Sequence, residues 1–157
     1  MLQEIERKFL VLKSSYKDIF FKKIYIKQGF LNSDKNRTVR IRITDDQGFI
    51  TIKGISNQNG TTRFEWEKEI DLKEAIQLLM LCEDGIVEKN RFLVKSGNYI
   101  FEVDEFLGDN QGLVIAEIEL KDENDLFEKP DWIGKEVTGV IKYYNAVLSK
   151  NPYKNWQ

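Results

Sequence analysis

The chain has 157 residues, enough for about one domain with a sizeable core, and its 24 basic and 26 acidic residues nearly cancel, which argues against a basic nucleic-acid-binding surface. It contains no histidine and one cysteine, Cys82, so a zinc site of nitrogen and sulfur ligands, an intrachain disulfide and a Ser-His or Cys-His nucleophile pair are all but excluded. Any metal must be a hard cation such as Mg²⁺ or Mn²⁺ held by carboxylates, and acid–base chemistry falls to Lys, Asp, Glu or Tyr.

The first predicted strand, residues 4–11, alternates between charged and apolar side chains. Glu4, Glu6 and Lys8 share one face, because successive side chains of a strand point in opposite directions. Same-face neighbours lie roughly 6–7 Å apart. The two carboxylates can therefore hold one divalent cation while the lysine contacts an anion bound beside it.

Seven further strands follow from the same alternation of apolar and polar residues. They are expected at residues 23–31, 38–44, 49–54, 63–70, 86–94, 99–106 and 113–121. The turn-forming triplet Asp46-Gln47-Gly48 joins two of them into a hairpin. Clusters of turn-forming residues predict loops at 32–36 and 56–62.

Helical periodicity predicts an amphipathic helix at residues 72–82 that packs on the sheet. Asp71 is expected to cap it, with Glu74 three residues later completing a motif close to a capping box. The remaining predictions are a loop or short helix at 13–22, a helix at 123–129 ended by Pro130, a loop at 131–134 and a helical segment at about 140–150.

Seven of the strands carry charged or polar residues on one face and large apolar groups on the other. After Glu4, Glu6 and Lys8, the pairs are Arg40/Arg42, Thr51/Lys53, Glu65/Glu67, Lys89/Arg91, Glu102/Asp104 and Glu117/Glu119. For one strand alone, a solvated face explains the pattern. A solvated face also tolerates Ser, Asn and Gln freely, however, whereas nearly every position here is ionisable, so a shared charged interior is favoured.

We therefore predict an α+β, mainly β fold: an eight-stranded antiparallel sheet closed into a tunnel barrel, with a charged lumen and with helices packed outside. No linker, low-complexity segment or second core is visible, so residues 1–157 are expected to form a single domain. No apolar run approaches the roughly 18 residues of a membrane span, and the first residues do not resemble a signal peptide. A cytoplasmic protein without membrane or nucleic-acid partners is the expectation.

Such a lumen needs neutralising ligands, because two carboxylates about 5 Å apart repel by roughly 3 kcal/mol at an effective dielectric constant of about 20. A compact polyanion is expected to bind the basic residues and a divalent metal the acidic ones. The predicted anion ligands are Lys8, Arg40, Arg42, Lys53, Lys89 and Arg91. The predicted metal ligands are Glu4, Glu6, Glu117 and Glu119, and the residues expected to orient the arginines are Glu65, Glu67, Glu102 and Asp104.

These residues resemble a known family. The motif Glu4-x-Glu6-x-Lys8 is similar to the Glu-x-Glu-x-Lys signature of the CYTH superfamily, the triphosphate tunnel metalloenzymes. The likeness continues in order through residues 26–31, 39–42, 51–53, 63–67, 89–91, 101–104, 116–119 and 134–138. It implies an eight-stranded tunnel that binds triphosphate groups with Mg²⁺ or Mn²⁺, and the chain most resembles the bacterial inorganic tripolyphosphatases. Phe30 departs from the pattern, since related sequences commonly have Tyr in this place.

By this likeness, the protein would hydrolyse tripolyphosphate to diphosphate and phosphate. The metal would be held by Glu4, Glu6 and Glu119, with Glu117 close by. In the absence of histidine, the proton acceptor is either metal-bound hydroxide or a lysine whose pKa neighbouring cations lower, and Lys53 and Lys89 are the candidate lysines. Such a base must first lose a proton, so an alkaline pH optimum is expected.

The same residues are also compatible with functions other than tripolyphosphate hydrolysis. An adenylate cyclase or a thiamine triphosphatase shares this scaffold, and either needs a site for an organic group. Trp66 and Trp132 are candidates for stacking on that group, although packing roles are favoured. A non-catalytic polyphosphate or nucleotide binder is a further alternative, but a pure anion receptor gains nothing from the acidic residues. The sequence leaves a homodimer open.

Overall fold

Eight antiparallel strands close into a ring in the computed structural model, which describes residues 2–156. The strands are β1 Gln3–Val11, β2 Lys22–Asn32, β3 Arg37–Ile43, β4 Gly48–Ser56, β5 Thr62–Ile70, β6 Val87–Ser96, β7 Tyr99–Phe106 and β8 Val114–Glu119. Their order around the ring is β5, β4, β3, β2, β6, β7, β8 and β1, and pairing of β1 with β5 closes it. The predicted closed barrel and its β3–β4 hairpin are therefore confirmed.

Strand β1 closes the barrel because it pairs with different neighbours along its length. Its first residues pair with β5, where Glu4 lies opposite Arg63. Its later residues pair with β8, where Glu6 lies opposite Glu119. The acidic start of the chain is thereby placed beside the acidic residues of β8, although more than a hundred residues separate them.

The apolar residues of the strands form core clusters on the outside of the barrel. The larger cluster lies over β1, β6, β7 and β8 and includes the fully buried Phe9 and Phe101. Tyr16 and Trp132, from segments between the strands, cover it. Each fully buried side chain of this kind contributes about 1.5–3 kcal/mol. The exterior thus supplies the apolar burial that stabilises the fold, and the lumen is left for polar groups.

Helix α1, Leu72–Met80, covers the outer face of β2, β3 and β4, as predicted. Asp71 caps it by accepting a hydrogen bond from the backbone amide of Lys73 at 2.8 Å. Ala75 packs so close to Gly48 that a Cβ on Gly48 would lie 2.4 Å from that of Ala75. Within residues 2–156, no helix has the length and apolarity of a membrane span. Short 3₁₀ turns lie at Ser15–Asp18, Gly108–Asn110, Ile141–Tyr143 and Tyr153–Asn155.

Residues 123–129 do not form the predicted helix. The carboxylate of Asp125 accepts hydrogen bonds from the backbone amides of Lys121 and Asp122, each at 3.1 Å, and Asp122 binds the amide two residues further on. Such side-chain bonds compete with the backbone bonds of a helix. Phe127 then packs edge-on against aromatic rings of the larger outer cluster, so this segment is an irregular cover for the barrel.

A ninth strand, β9 Ile133–Glu136, begins within the stretch predicted as a loop at 131–134. It pairs with the end of β1, where Phe9 lies opposite Glu136. Arg7 of β1 donates to both carboxylate oxygens of Glu136, at 2.8 and 2.6 Å. The loop prediction holds for residues 131–132 and is wrong for 133–134, because a strand of four residues is too short to show alternation.

The helical segment predicted at 140–150 is broken into two pieces, a 3₁₀ turn at Ile141–Tyr143 and helix α2, Asn145–Leu148. Tyr144 between them is extended, with a ψ of 135°. Leu148 anchors the end of α2 in the second outer cluster. The interruption lets Tyr144 and the first residue of α2 line the interior of the barrel.

Candidate active site

The ring of strands encloses a cavity of about 470 Å³. Every predicted site residue except Asp104 lines it. Asp104 faces the interior from β7, as Glu102 does, but is fully buried beside Lys89 and Arg91, away from the cavity. The charged lumen residues of the barrel wall are Glu4, Glu6, Lys8, Arg40, Arg42, Lys53, Arg63, Glu65, Glu67, Lys89, Arg91, Glu102, Glu117 and Glu119. The charged faces of the strands therefore meet in one space.

Carboxylates converge where β7, β8 and β1 are neighbours. The strand register places Glu102 opposite Glu117, and one oxygen each of Glu6, Glu102 and Glu117 lie within 4.8 Å of one another. Three carboxylate oxygens at this spacing suit a hard divalent cation. Glu102, predicted to orient an arginine, also accepts a hydrogen bond from Arg91 Nη1 at 3.0 Å. It can therefore serve both the metal and the arginine.

Glu4 is held apart from this cluster by Lys53. The ammonium of Lys53 donates to both oxygens of Glu4, at 2.9 and 3.0 Å, and lies 3.5 Å from Glu65. Burial raises the pKa of Glu4, but attraction to Lys53 outweighs it and lowers the pKa overall. Burial, followed by repulsion from Glu4, raises the pKa of Glu65 to about 7. Glu4 is thus less free to bind a metal than Glu6 or Glu117.

The pKa values of Glu6 and Glu117 are shifted in opposite directions. Burial, followed by the charges of Glu117 and Glu4, raises the pKa of Glu6 well above its ordinary value. Burial also raises the pKa of Glu117, but Lys8 and the hydrogen bond from Glu6 outweigh it and hold that pKa well below the usual range. A divalent cation would compensate the repulsion between these carboxylates, so the donor set fits a metal.

Metal binding is expected to tighten as the pH rises. The metal must displace the proton of Glu6, so each pH unit below the raised pKa of this group lowers the affinity by about tenfold. Calorimetric titration with Mn²⁺ at about pH 6, 7 and 8 should give a falling dissociation constant and a measurable release of protons. The exposed-residue variant Glu128→Gln should follow the wild type. Equal affinity at the three pH values would contradict a metal site at Glu6.

Asp104 fixes two of the basic residues from the buried part of the barrel interior. It accepts two hydrogen bonds from Arg91, Nε to Oδ1 at 2.7 Å and Nη2 to Oδ2 at 2.9 Å, and pairs with Lys89 Nζ at 2.8 Å. Burial raises the pKa of Asp104, but Arg91 and Lys89 outweigh it and lower the pKa overall. The carboxylate therefore stays charged and keeps both cations at the wall.

Arg40 and Arg42 face the lumen from β3. Arg42 Nε donates to Gln28 Oε1 at 3.0 Å, and Arg40 Nη2 donates to Thr51 Oγ1 at 3.1 Å and to Glu67 at 3.4 Å. Arg40 Nε is shielded from solvent and has no hydrogen-bond partner within residues 2–156. A buried donor without a partner costs about 1–3 kcal/mol, so this atom fits an anion in the lumen.

The two candidate bases lie in different environments. Burial lowers the pKa of Lys89 to about 7; Asp104 opposes this shift, and two neighbouring arginines add to it. Lys53 is instead paired with the carboxylates of Glu4 and Glu65. A lysine that titrates near neutral pH is suited to proton transfer, so the structure favours Lys89 over Lys53 as a base.

Several polar interior residues lie outside the predicted set. They include Arg63, Thr138, Tyr144 and Asn145, which line the cavity, and Gln28, which is fully buried beside Arg42 and does not line it. Gln28 lies opposite Arg42 in the strand register, and Arg63 alternates in phase with Glu65, so the pattern of the strands could have revealed both. Tyr144 lies just before α2, and Asn145 is its first residue. The sequence predicted a helical segment here but gave no sign that these two side chains face the lumen.

Aromatic residues play a small part in the cavity wall. Phe30, which departs from the family pattern, lines the cavity and is almost completely buried. Trp66 and Trp132 do not line it, and Trp132 is 2% exposed among the aromatic rings of the larger outer cluster. Trp132 therefore has a packing role, and neither of these two tryptophans lies where it could stack on a ligand in the lumen.

The CYTH domain family model matches residues 2–145, most of the chain. The chain belongs to the CYTH family. This CYTH domain is 49% identical to an inorganic triphosphatase of Acetivibrio thermocellus, in an alignment that covers 100% of the chain and 99% of that protein. It is 32% identical to an inorganic triphosphatase of Nitrosomonas europaea, over 94% of the chain and 97% of that protein. A solved structure of an inorganic triphosphatase superposes with a TM-score of 0.67 at 32% identity, covering 95% of each chain.

Proposed function

We propose that this CYTH domain is a metal-dependent triphosphatase that hydrolyses inorganic tripolyphosphate to diphosphate and phosphate. The observation that carries the proposal is the division of one cavity into a carboxylate cluster and a wall of arginine and lysine. A compact polyanion with a bound divalent cation satisfies both parts. The two relatives with the name inorganic triphosphatase support the same activity.

The carboxylates would hold Mg²⁺ or Mn²⁺. Glu6, Glu102 and Glu117 already converge, and Glu4 and Glu119 line the cavity with them. Burial, followed by the charge of Glu4, raises the pKa of Glu119. A bound cation would stabilise the ionised form of this acid as well. A site built only from oxygen ligands favours these hard ions. When bound, the metal would neutralise phosphate charge and activate a water molecule.

The basic residues would bind and align the phosphates. Arg40 offers a buried Nε without a partner, and Arg91 is fixed by two hydrogen bonds to Asp104. Lys8 lies 5.1 Å from the centre of the Tyr144 ring, which keeps its ammonium beside the lumen. Donors that are already in place stabilise the charge that develops on a transferred phosphoryl group without further reorganisation.

Lys89 would accept the proton of the attacking water. Its pKa of about 7 leaves a sizeable neutral fraction at neutral pH, and the neutral amine is the form that accepts a proton. The side chain is almost completely buried in the wall that also carries Arg91. Phosphate binding and proton transfer would therefore occur side by side on β6.

The cavity gives less support to the alternative activities. Of the described residues, the aromatic rings that line it belong to Phe30 and Tyr144, and Tyr144 already faces Lys8. A nucleotide or thiamine group therefore finds no tryptophan to stack on. A simple polyanion binder is also disfavoured, because the carboxylate cluster repels an anion unless a cation neutralises it.

A turnover panel tests the proposal. With Mg²⁺ or Mn²⁺, the protein should release phosphate from tripolyphosphate with a kcat/KM at least about tenfold above that for ATP or thiamine triphosphate, since the organic group gains no contact in return for its desolvation. EDTA should abolish the release. Formation of cyclic AMP from ATP would identify a cyclase instead, and faster turnover of thiamine triphosphate would identify that activity. Tight tripolyphosphate binding without phosphate release would identify a binder.

A further inference from the structure

Hydrogen bonds between side chains link helix α2 to the basic wall of the lumen. Asn145 Oδ1 accepts two of them, from Gln28 Nε2 at 2.9 Å and from Lys89 Nζ at 3.0 Å. Gln28 Oε1 in turn accepts from Arg42 Nε at 3.0 Å. Gln28 is fully buried, so it has no solvent to replace these partners. One amide on α2 thus connects lumen cations that stand on two different strands.

The orientation of the Asn145 amide follows from its partners. Its oxygen faces an ammonium group and an amide NH₂ group, both of which are donors. If the amide were rotated by half a turn, its own NH₂ would face both donors and both hydrogen bonds would be lost. Asn145 therefore supplies an acceptor, without a charge, at a position where Lys89 needs one.

Asp104 and Asn145 together orient the ammonium of Lys89. Asp104 Oδ2 lies 2.8 Å from Nζ, and Asn145 Oδ1 lies 3.0 Å from it. A lysine ammonium has three N–H bonds, so two fixed acceptors determine the direction of the third. Asp104 is fully buried and does not line the cavity, whereas Lys89 does. The third direction is therefore available to a ligand or water in the lumen.

We propose that Asn145 is a positioning residue of the triphosphatase reaction, which holds the Nζ of Lys89 in one orientation and couples it through Gln28 to Arg42. The inference rests on the proposed function of the lumen. With Asp104 alone, Nζ can rotate about the bond to this one acceptor, so its remaining N–H or its lone pair no longer points at one place. A carboxylate in place of the Asn145 amide would also restrain Nζ, but it would repel the phosphates.

Kinetics of Asn145→Ala with tripolyphosphate test the proposal. We expect kcat to fall roughly 10- to 100-fold while KM stays within about threefold, because lost orientation of Lys89 affects the transition state more than substrate binding. Unchanged kinetics would overturn the proposal. A raised KM with unchanged kcat would also overturn it, since Asn145 would then act by binding substrate and not through Lys89.

A double-mutant cycle separates positioning from a general structural effect. If Asn145 acts through Lys89, adding Asn145→Ala to a Lys89→Met variant should lower the residual kcat by no more than about twofold, since the two residues then work as one unit. If the two losses simply add, Asn145 does not act through Lys89. This readout differs from that of a structural defect, which would lower activity in either background.

The C-terminal segment offers a matched control. Asn151 is exposed and does not line the cavity, so Asn151→Ala should keep the wild-type kcat and KM. Thermal melting of each variant reports whether the fold is kept, and Asn145→Ser, whose hydroxyl is too short to reach both partners, replaces an unstable Asn145→Ala. A wild type that does not hydrolyse tripolyphosphate would refute the proposed function itself. An active wild type with a fully active, folded Asn145→Ala refutes only the positioning role.

Discussion

Replacing Glu6 with Gln should remove metal-dependent turnover and, at the same time, stabilise the metal-free protein. Glu6 supplies one of three carboxylate oxygens that lie within 4.8 Å of one another, so the variant loses a charged metal ligand and turnover should fall roughly 100- to 1,000-fold. The raised pKa of Glu6 means that ionising it in the folded state is unfavourable. Gln cannot ionise, so the melting temperature without metal at about pH 8 should rise by about 2 °C or more.

The stabilisation by Glu6→Gln should depend on pH in a defined direction. An acid whose pKa rises on folding makes the fold less stable as the pH increases from the ordinary pKa of 4.5 to the folded pKa. The gain should therefore be small near pH 5 and larger near pH 8. Thermal melting in EDTA and phosphate release with Mg²⁺ or Mn²⁺ measure the two effects.

The exposed Glu128 provides the matched control for this pair of effects, because Glu128→Gln removes the same charge outside the lumen. It should change neither activity nor the pH dependence of melting. A Glu6→Gln protein that is less stable than the wild type at pH 8 would contradict a crowded carboxylate cluster. One that keeps full metal-dependent activity would contradict the metal assignment.

The lumen could be predicted from the sequence because a strand has a period of two, so alternation alone assigns each side chain to a face. Which charges become neighbours depends on strand pairing, and that is not visible in any local pattern. Glu102 meets Glu6 and Glu117 because β7 pairs with β8 and β8 with β1. Glu4 meets Lys53 because β1 passes from β8 to β5 near its start.

The elements that the sequence did not predict correctly are short and take their conformation from distant partners. Strand β9 has four residues and exists because the end of β1 is available for pairing. Residues 123–129 have the composition of a helix, but the Asp125 carboxylate binds the preceding backbone amides. The periodicity of 140–150 is interrupted at Tyr144, next to Asn145, which accepts a hydrogen bond from Gln28 of the distant strand β2. Local periodicity carries no information about these contacts.

Lys89 is expected to control how turnover depends on pH. If its neutral amine is the base, kcat/KM for tripolyphosphate at saturating metal should rise with pH, with an apparent pKa near 7, and then level off. Lys89→Arg keeps a positive charge for the phosphates but does not deprotonate in this range. Its kcat should fall roughly 100- to 1,000-fold, and the rise with pH should disappear. Saturating metal keeps the titration of Glu6 out of this profile.

A variant of Lys53 distinguishes between the two candidate lysines. Lys53 faces the same cavity as Lys89, but its ammonium donates to both oxygens of Glu4, at 2.9 and 3.0 Å. Arg can keep such an ion pair, so Lys53→Arg should lose no more than about tenfold in kcat and should retain the rise near pH 7. Steady-state profiles of both variants from about pH 5.5 to 9.5 measure the difference. If the rise disappears in Lys53→Arg and persists in Lys89→Arg, the two roles are exchanged. A wild-type maximum well below neutral pH would contradict a lysine base at either position, because a protonated lysine cannot accept the proton of the attacking water.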